Sequence, residues 1–321
     1  MKRPLLVIVG PTGVGKTAVA VKLAGRLPLE VVSADSRQLY RGMDIATGKP
    51  TRQERAAVPH HLIDLIDPDE RYNVARFRAD ALPVIDALHA RGRLPAVVGG
   101  TGLYVRALLK GLRPAPPADP ALRQALEETA TREGSAALHA RLASVDPLAA
   151  RRLHPNDRVR IIRALELHTL GAFGADRPPH SDGGDTKGNW ETGVSSWRAL
   201  MIGLTRPREI LRAAVAARAR DMVSRGMMQE VERLLAAGYD PSLPSMGGIG
   251  YRQFVAVRRD GLDPREALRL MIRDTGRYAR RQLSWFARDR EIRWIDVDAA
   301  GGIEGTVELV LKQITRGGLI E

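Results

Sequence analysis

The 321-residue chain contains no cysteine, which excludes a disulfide framework and a cysteine-ligated zinc site. It also lacks any apolar run near the ~20 residues that span a bilayer, so we expect no membrane-spanning helix. Met1–Pro4 leads directly into an apolar stretch and leaves no room for a signal peptide. With 44% hydrophobic residues, the chain can bury a sizeable core. These observations predict a soluble, cytoplasmic protein.

The chain does carry a large positive charge. A formal net charge of +13 suggests a polyanionic partner such as a nucleic acid, although drift towards arginine in a GC-rich genome would also produce it. Residues 251–293 contain twelve arginines against six acidic residues, so the charge is concentrated as well as large. Arg277, Arg280 and Arg281 have the spacing of one helix face, which suits a phosphate backbone.

Residues 10–17 match the phosphate-binding pattern G-x-x-x-x-G-K-[ST] at every fixed position. The residues are Gly10, Pro11, Thr12, Gly13, Val14, Gly15, Lys16 and Thr17. They lie between the apolar run Leu5–Val9 and the helical pattern of Thr17–Leu27, so backbone N–H groups can cradle phosphate at a helix N-terminus. Lys16 can add a charge, and Thr17 can offer its hydroxyl to Mg²⁺. The motif predicts a phosphate ligand without specifying which one.

Apolar strands alternate with helical stretches on both sides of a helical middle section. The predicted strands are Leu5–Val9, Glu30–Ser33, Leu94–Val98, Ala199–Leu204 and Arg293–Val297, and the predicted helices outside the middle section are Thr17–Leu27, Ala75–Arg91, Leu103–Lys110, Pro207–Gly238, Pro264–Asp289 and Ile303–Ile314. This alternation predicts an α/β fold: a P-loop NTPase-like parallel sheet flanked by helices, with an all-helical insertion domain. We assign residues 1–112 and 199–321 to the core and 113–198 to the insertion, with a mobile loop at 171–193.

Two polar residues follow predicted strands and should meet at the carboxyl edge of the sheet, facing the P-loop. Asp35 comes after Glu30–Ser33, and Thr101 comes after Leu94–Val98. Asp35 could hold magnesium through water, act as a general base, or cap the following turn; its place in the site favours a functional role. Thr101 could donate to a phosphate or leaving oxygen, or be an ordinary turn residue. Since Leu94–Val98 ends in glycines rather than Asp, the Walker-B carboxylate of nucleotide hydrolases is missing.

The chain resembles the tRNA dimethylallyltransferases, also called tRNA isopentenyltransferases, over nearly its whole length. The matching segments are Gly10–Thr17, Ser33–Tyr40, Pro59–Leu62, Val98–Tyr104, His154–Asp157, Arg163–Glu166, Gly250–Gln253 and Tyr278–Gln282. The resemblance implies that the P-loop holds the diphosphate of dimethylallyl diphosphate. It implies that the acceptor is the exocyclic amine of adenosine 37, beside the tRNA anticodon.

The resemblance also implies roles for individual residues. Asp35 would bind and activate the amine, Thr101 would contact the leaving oxygen, and Lys16, Thr17 and Mg²⁺ would neutralise diphosphate. Arg218 aligns with an arginine that reaches the diphosphate, although a solvated helix face would equally explain it.

The family's tRNA contacts carry over to a larger set of positions. They are Asp35, Ser36, Arg37, Gln38, Thr101, Arg123, Val159, Arg160, Ile161, Ile162, Arg163, Gly250, Tyr251, Arg252, Arg277, Arg280, Arg281 and Gln282. The insertion would clasp the anticodon stem-loop, and we expect a monomer. Val159 departs from the glutamine that is common there.

Three rival interpretations remain. A P-loop small-molecule kinase explains residues 10–17 but neither the basic C-terminal region nor the missing Walker-B carboxylate. An adenylate isopentenyltransferase acting on free AMP would need neither the insertion nor the basic clusters. An RNA-binding protein with a degenerate P-loop would not need an intact Lys16, Thr17 and Asp35.

Overall fold

The computed structural model describes residues 2–112, 115–172 and 197–319. The described residues within Met1–Gly111 and Gly193–Glu321 form one compact unit, and those within Leu112–Thr192 form the other. The predicted loop at 171–193 lies outside the described residues, apart from its first two positions. None of the described helices is long and apolar enough to cross a membrane.

The first unit is built on a six-stranded parallel sheet, which confirms the predicted α/β class. The strands are β1 (Arg3–Val9), β2 (Leu29–Ser33), β3 (His60–His61), β4 (Leu94–Gly99), β5 (Trp197–Thr205) and β6 (Arg293–Asp296). Their order across the sheet is β3-β2-β4-β1-β5-β6, and every pairing is parallel. Because β1 is central, its carboxyl end lies beside the ends of β4 and β5, with Val9 opposite both Gly99 and Gly203.

Thirteen helices complete the described part of the chain. They are α1 (Lys16–Ala24), α2 (Arg52–Ala57), α3 (Val74–Ala90), α4 (Gly102–Lys110), α5 (Pro120–Glu133), α6 (Ser135–Val145), α7 (Pro147–Arg152), α8 (Arg158–Thr169), α9 (Arg208–Ser224), α10 (Met227–Ala236), α11 (Tyr251–Asp260), α12 (Pro264–Phe286) and α13 (Gly302–Arg316). Helices α5 to α8 form the second unit, and the other nine belong to the first.

The sheet is covered on both faces, as a parallel sheet requires. Successive side chains of β1 alternate between two apolar layers because a strand has a period of two. Leu5, Val7 and Val9 face a layer that includes residues of α3, α4 and α9 to α12, whereas Leu6 and Ile8 face a layer that includes residues of α1 and α13. All five side chains are fully buried.

The second unit has its own small core. Leu126, Leu138, Leu142 and Ile161 are buried at its centre, each from α5, α6 or α8. Asp119, Asp146 and Asp157 cap the N-termini of α5, α7 and α8 by accepting a hydrogen bond from a backbone N–H of the first turn. Caps and apolar periodicity together explain why the described secondary-structure elements of this unit are all helices.

The structure differs from the sequence-based elements where the signal was short or interrupted. The predicted helix Pro207–Gly238 is two helices, because Gly226 adopts φ +98° between them. The strand β3 and the helix α2 were missed, since two and six residues are too short for a periodicity signal. Helix α11 was missed as well.

Candidate functional site

The P-loop connects β1 to α1 at the carboxyl edge of the sheet. Gly10 must be glycine there, since a Cβ at φ +145° would lie 2.5 Å from the carbonyl oxygen of Leu204. Gly15 precedes α1 at φ +106°, and no side chain caps the helix. The first N–H groups of α1 are therefore free of a side-chain cap at the point where an anion would bind.

Lys16 lies at the first position of α1 and folds back over the loop. Its Nζ donates to the carbonyl oxygens of Gly10 and Pro11, at 2.9 Å each. Burial lowers the pKa of Lys16 to about 8, with Asp35 opposing and Arg218 adding to that shift. The amine is thus poised so that a bound anion would stabilise its charged form.

The P-loop forms one wall of a cavity of about 890 Å³ in the first unit. Segment 35–38, the stretch 46–51 and helices α9 and α12 supply most of the remaining lining. Of the predicted site, this cavity brings together Thr12, Gly13, Gly15, Lys16, Thr17, Asp35, Ser36, Arg37, Gln38, Arg218, Tyr251, Arg252, Arg277, Arg281 and Gln282.

Asp35 follows β2 and faces this cavity, so the predicted position at the sheet edge is found. Its Oδ1 accepts a hydrogen bond of 2.8 Å from the backbone N–H of Arg37. This contact closes a local turn, as the capping alternative required, but no helix follows. Among the described residues no hydrogen bond occupies Oδ2, which leaves one carboxylate oxygen for a ligand.

Thr101 is held against the segment that carries Asp35. Its backbone N–H donates to the carbonyl oxygen of Ala34 at 3.2 Å, and its Oγ1 accepts from the backbone N–H of Ser36 at 3.0 Å. The segments that carry Thr101 and Asp35 approach this closely because Gly99 has no side chain. A Cβ at Gly99 would lie 2.1 Å from the carbonyl oxygen of Ala34. Thr101 thus touches the cavity wall, although it is not itself part of the lining.

Arg218 projects from α9 towards the P-loop. Its Nη1 donates to Thr12 Oγ1 and its Nη2 to the carbonyl oxygen of Gly48, both at 3.3 Å. Burial lowers the pKa of Arg218, against the attraction of Asp35. The alternative of a solvated helix face is therefore wrong for this residue.

Gln282 connects α12 to the P-loop and to the turn after β4. Its Oε1 accepts from the backbone N–H of Thr12, and its Nε2 donates to the carbonyl oxygen of Gly100, both at 2.9 Å. The side chain is buried, so both ends of its amide are used inside the protein. Its role as a tRNA contact stays a prediction, but it fixes the P-loop relative to the β4 turn.

Exposed arginines surround the cavity mouth. Arg37, Arg252, Arg277 and Arg281 are exposed and line the cavity, and we call them the arginine rim. Asp274 orients two of them, with its carboxylate 2.6 Å from Arg252 Nη2 and 3.8 Å from Arg277 Nη1. Burial would raise the pKa of Asp274, but hydrogen bonds from arginines outweigh it and the pKa is lowered.

Three other predicted tRNA contacts of the first unit, Arg280, Tyr251 and Gly250, do not belong to the arginine rim. Arg280 is exposed on α12 but does not line the cavity. Tyr251 is buried, and its hydroxyl donates to Glu230 Oε1 at 2.6 Å. At Gly250, φ is +95° and a Cβ would lie 2.6 Å from Ala46 Cβ, so a close approach explains the glycine. Gly250 and Tyr251 therefore pack this part of the wall.

In the second unit, the predicted tRNA-binding arginines are largely engaged within the fold. Arg123 grips the buried Glu166 with two hydrogen bonds of 2.9 and 2.8 Å, and Arg163 contacts the same carboxylate. Burial would raise the pKa of Glu166, but these hydrogen bonds lower it. Arg160 pairs with Asp157 at 2.8 Å.

The apolar members of that predicted set divide by exposure. Ile161 and Ile162 are buried in the core of the second unit, so their side chains stabilise α8. Val159 on the same helix is 75% exposed. Of these three, only Val159 has an exposed side chain.

Several cavity residues were not predicted from the sequence, among them Tyr278 and His60. Tyr278 lies in α12 one turn before Gln282, and burial raises its pKa to about 12. His60 bonds the carbonyl oxygen of Val58 through Nδ1 at 2.8 Å, while its Nε2 is buried with no partner among the described residues. Both stand in matched segments, Pro59–Leu62 and Tyr278–Gln282, which was the available signal.

Thr17 is the side chain that suits a magnesium ion beside the P-loop. It is the second residue of α1 and lines the cavity next to Lys16. Within residues 2–112, 115–172 and 197–319, no group of three or more His, Cys, Asp and Glu could hold a metal. Mg²⁺ commonly takes one or two protein ligands and the rest from phosphate and water, so a single hydroxyl fits.

Comparison with known proteins shows the family to which the chain belongs. The family model described as IPP transferase matches residues 38–289, and a second, isopentenyl transferase, matches residues 3–63. A tRNA dimethylallyltransferase of Thermomicrobium roseum is 47% identical, with 98% of this chain and 92% of that protein aligned. The chain belongs to the IPP transferase family.

Solved structures of this family share the fold. The full-length tRNA isopentenylpyrophosphate transferase of Bacillus halodurans is 38% identical with a TM-score of 0.69, covering 99% of this chain and 98% of that one. A eukaryotic dimethylallyltransferase acting on tRNA is 27% identical with a TM-score of 0.73, covering 92% of this chain and 74% of that one. The family resemblance inferred from the motifs is therefore confirmed.

Proposed function

We propose that this member of the family transfers a dimethylallyl group from dimethylallyl diphosphate to the exocyclic amine of adenosine 37 in tRNA, releasing diphosphate. The observation that carries the proposal is one cavity in which a P-loop, a half-buried arginine and a carboxylate converge. Lys16 and Arg218 supply positive charge at the phosphate end, and Asp35 supplies a proton acceptor. A small-molecule kinase would not need the exposed arginines around this cavity.

The reaction joins the amine nitrogen to carbon 1 of the dimethylallyl group while the bond from that carbon to oxygen breaks. Its electron pair leaves with diphosphate, and the amine proton passes to the Asp35 carboxylate. The backbone N–H groups of the P-loop, Lys16 and Arg218 stabilise the negative charge that develops on the leaving group. Thr101, held by Ser36 and Ala34, is proposed to donate to the leaving oxygen.

Magnesium belongs to this proposal as the cofactor. Thr17 would hold it together with diphosphate oxygens, and the ion would neutralise part of the leaving group's charge.

The RNA partner is proposed to be the anticodon stem-loop. The net charge of +13 and the exposed arginine rim suit a phosphate backbone. An adenosine must leave the base stack to reach Asp35 inside the cavity, as enzymes that modify bases require. The second unit, with its exposed Val159, is proposed to contribute further RNA contacts, and the protein is proposed to act as a monomer in the cytoplasm.

The test is transfer of labelled dimethylallyl to unmodified tRNA with Mg²⁺, with AMP and ATP in parallel reactions. Asp35→Asn is the sharp variant, because the amide oxygen can still accept from Arg37 N–H but cannot take a proton. We expect label in tRNA with wild type and a loss of at least about hundredfold in turnover with Asp35→Asn.

The other outcomes separate the alternatives. Label in AMP alone would identify a mononucleotide prenyltransferase. Hydrolysis or transfer of phosphate from ATP, with no label in tRNA or AMP, would favour the P-loop kinase interpretation. If Asp35→Asn keeps full turnover while Asp35→Ala loses it, the carboxylate closes a turn and is not the base.

A further inference from the structure

Two half-exposed tryptophans occur among the described residues, and each covers a glycine. Trp285 on α12 is 39% exposed, and a Cβ on Gly102 would lie 2.1 Å from its Cδ1 and Nε1. Trp294 on β6 is 37% exposed, and a Cβ on Gly203 would lie 2.7 Å from its ring. In both, the glycine lets the indole lie directly on backbone, which fixes the ring while much of it faces solvent.

The two rings differ in what surrounds them. Trp285 continues the helix face of Arg277 and Arg281 at intervals of four residues, so it lies one turn beyond the arginine rim. The glycine beneath it directly follows Thr101. Leu103, 47% exposed, extends the apolar surface beside that glycine. Trp294 belongs to the edge strand β6 rather than to the helix that carries Arg277 and Arg281, and neither tryptophan is part of the cavity lining.

We propose that Trp285 is a stacking platform for an unpaired base of the RNA substrate, next to the nucleotide that enters the cavity. The inference rests on the proposed function and names a further contact of the same site. RNA loops offer unstacked bases that bind aromatic side chains, and arginines beside the ring hold the backbone that carries them. A fixed, half-exposed indole flanked by exposed arginines has this chemistry.

The steady-state test separates stacking from packing. Trp285→Leu fills the space over Gly102 without an aromatic face, whereas Trp285→Phe keeps one. We expect Trp285→Leu to raise the KM for tRNA about tenfold, because removal of an aromatic side chain that stacks on a base weakens binding by about this factor. Neither kcat nor the KM for dimethylallyl diphosphate should change. Trp285→Phe should have a KM for tRNA close to that of wild type. Trp294→Leu, the matched control, should leave all three parameters unchanged.

A binding measurement keeps the inference testable if the leucine variant folds poorly. Intrinsic fluorescence is titrated with an unmodified anticodon stem-loop RNA in Trp285→Phe and Trp294→Phe. We expect RNA to quench Trp294→Phe as wild type is quenched, and Trp285→Phe clearly less.

Equal quenching in both variants, or an unchanged KM for tRNA in Trp285→Leu, would overturn the inference. Equal losses in Trp285→Leu and Trp294→Leu would do the same. These results are distinct from failure of the proposed function, in which wild type itself would transfer no label to tRNA.

Discussion

The cations at the floor of the cavity and those at its rim are built in opposite ways. Lys16 and Arg218 at the floor are withdrawn from water, bonded to backbone or threonine oxygens, and burial lowers both pKa values. The arginines at the rim are exposed, and two of them lean on one carboxylate, Asp274. A compact diphosphate needs few, desolvated, rigid charges, whereas a polyelectrolyte needs many solvated ones. We therefore expect substitutions at the floor to change kcat or the affinity for dimethylallyl diphosphate, and substitutions at the rim to change the affinity for tRNA.

The largest effect should come from the floor. Replacing Arg218 with Gln removes a half-buried charge that touches Thr12 and Gly48, so we expect kcat to fall about hundredfold, as on loss of one transition-state donor. The tRNA dissociation constant should stay unchanged. Arg220→Gln on the same helix, at an exposed position, is the control and should retain activity. If Arg218→Gln weakened tRNA binding and left kcat unchanged, the proposed difference in role between Arg218 and the arginine rim would be wrong.

An intermediate effect should appear in the pH dependence of Lys16. Its pKa of about 8 in the free protein means that the amine loses its proton above pH 8, whereas bound diphosphate favours the protonated form. The affinity for dimethylallyl diphosphate should therefore be flat below pH 8. Above it, affinity should fall by up to about tenfold per pH unit, with proton uptake on binding measured by calorimetry in buffers of different ionisation enthalpy.

Lys16→Met provides the reference for this titration. It should bind weakly at every pH and show no proton uptake assignable to an amine. A wild-type affinity that is constant from pH 7 to 9.5 would mean that burial does not tune Lys16.

Sequence reasoning found the P-loop because its residues are contiguous, whereas Arg218, also at the floor, lies far from Lys16 in the chain and was matched only through the family resemblance. Eight adjacent residues specify the P-loop, and strand-end positions were enough to place Asp35 and Thr101 at one edge. The sequence could not show which arginines face the cavity, because spacing along a helix does not indicate which group each side chain contacts. Arg163 follows Arg160 by three residues and Arg281 follows Arg277 by four, both of which are helical spacings. Nevertheless, Arg163 contacts the buried Glu166, whereas Arg281 faces the cavity. Trp285 likewise needed the three-dimensional placement of Gly102.

The smallest effect should come from the rim. Arg281→Gln removes one exposed charge, so tRNA affinity should fall about equally for different tRNA sequences. The slope of log affinity against log salt should decrease in magnitude by roughly 0.7 to 0.9. The affinity for dimethylallyl diphosphate should not change. Filter binding or anisotropy across a salt series measures the slope.

Arg269→Gln is the matched control for that slope. Arg269 is also exposed on α12 but is paired with Glu266 and lies outside the cavity lining, so the slope should stay at its wild-type value. If both variants reduced the slope equally, tRNA would be responding to the overall charge of the protein rather than to the arginine rim. If Arg281→Gln alone reduced it, at least one phosphate of the RNA lies beside the helix that also carries Trp285, which is where a stacked base would have to be.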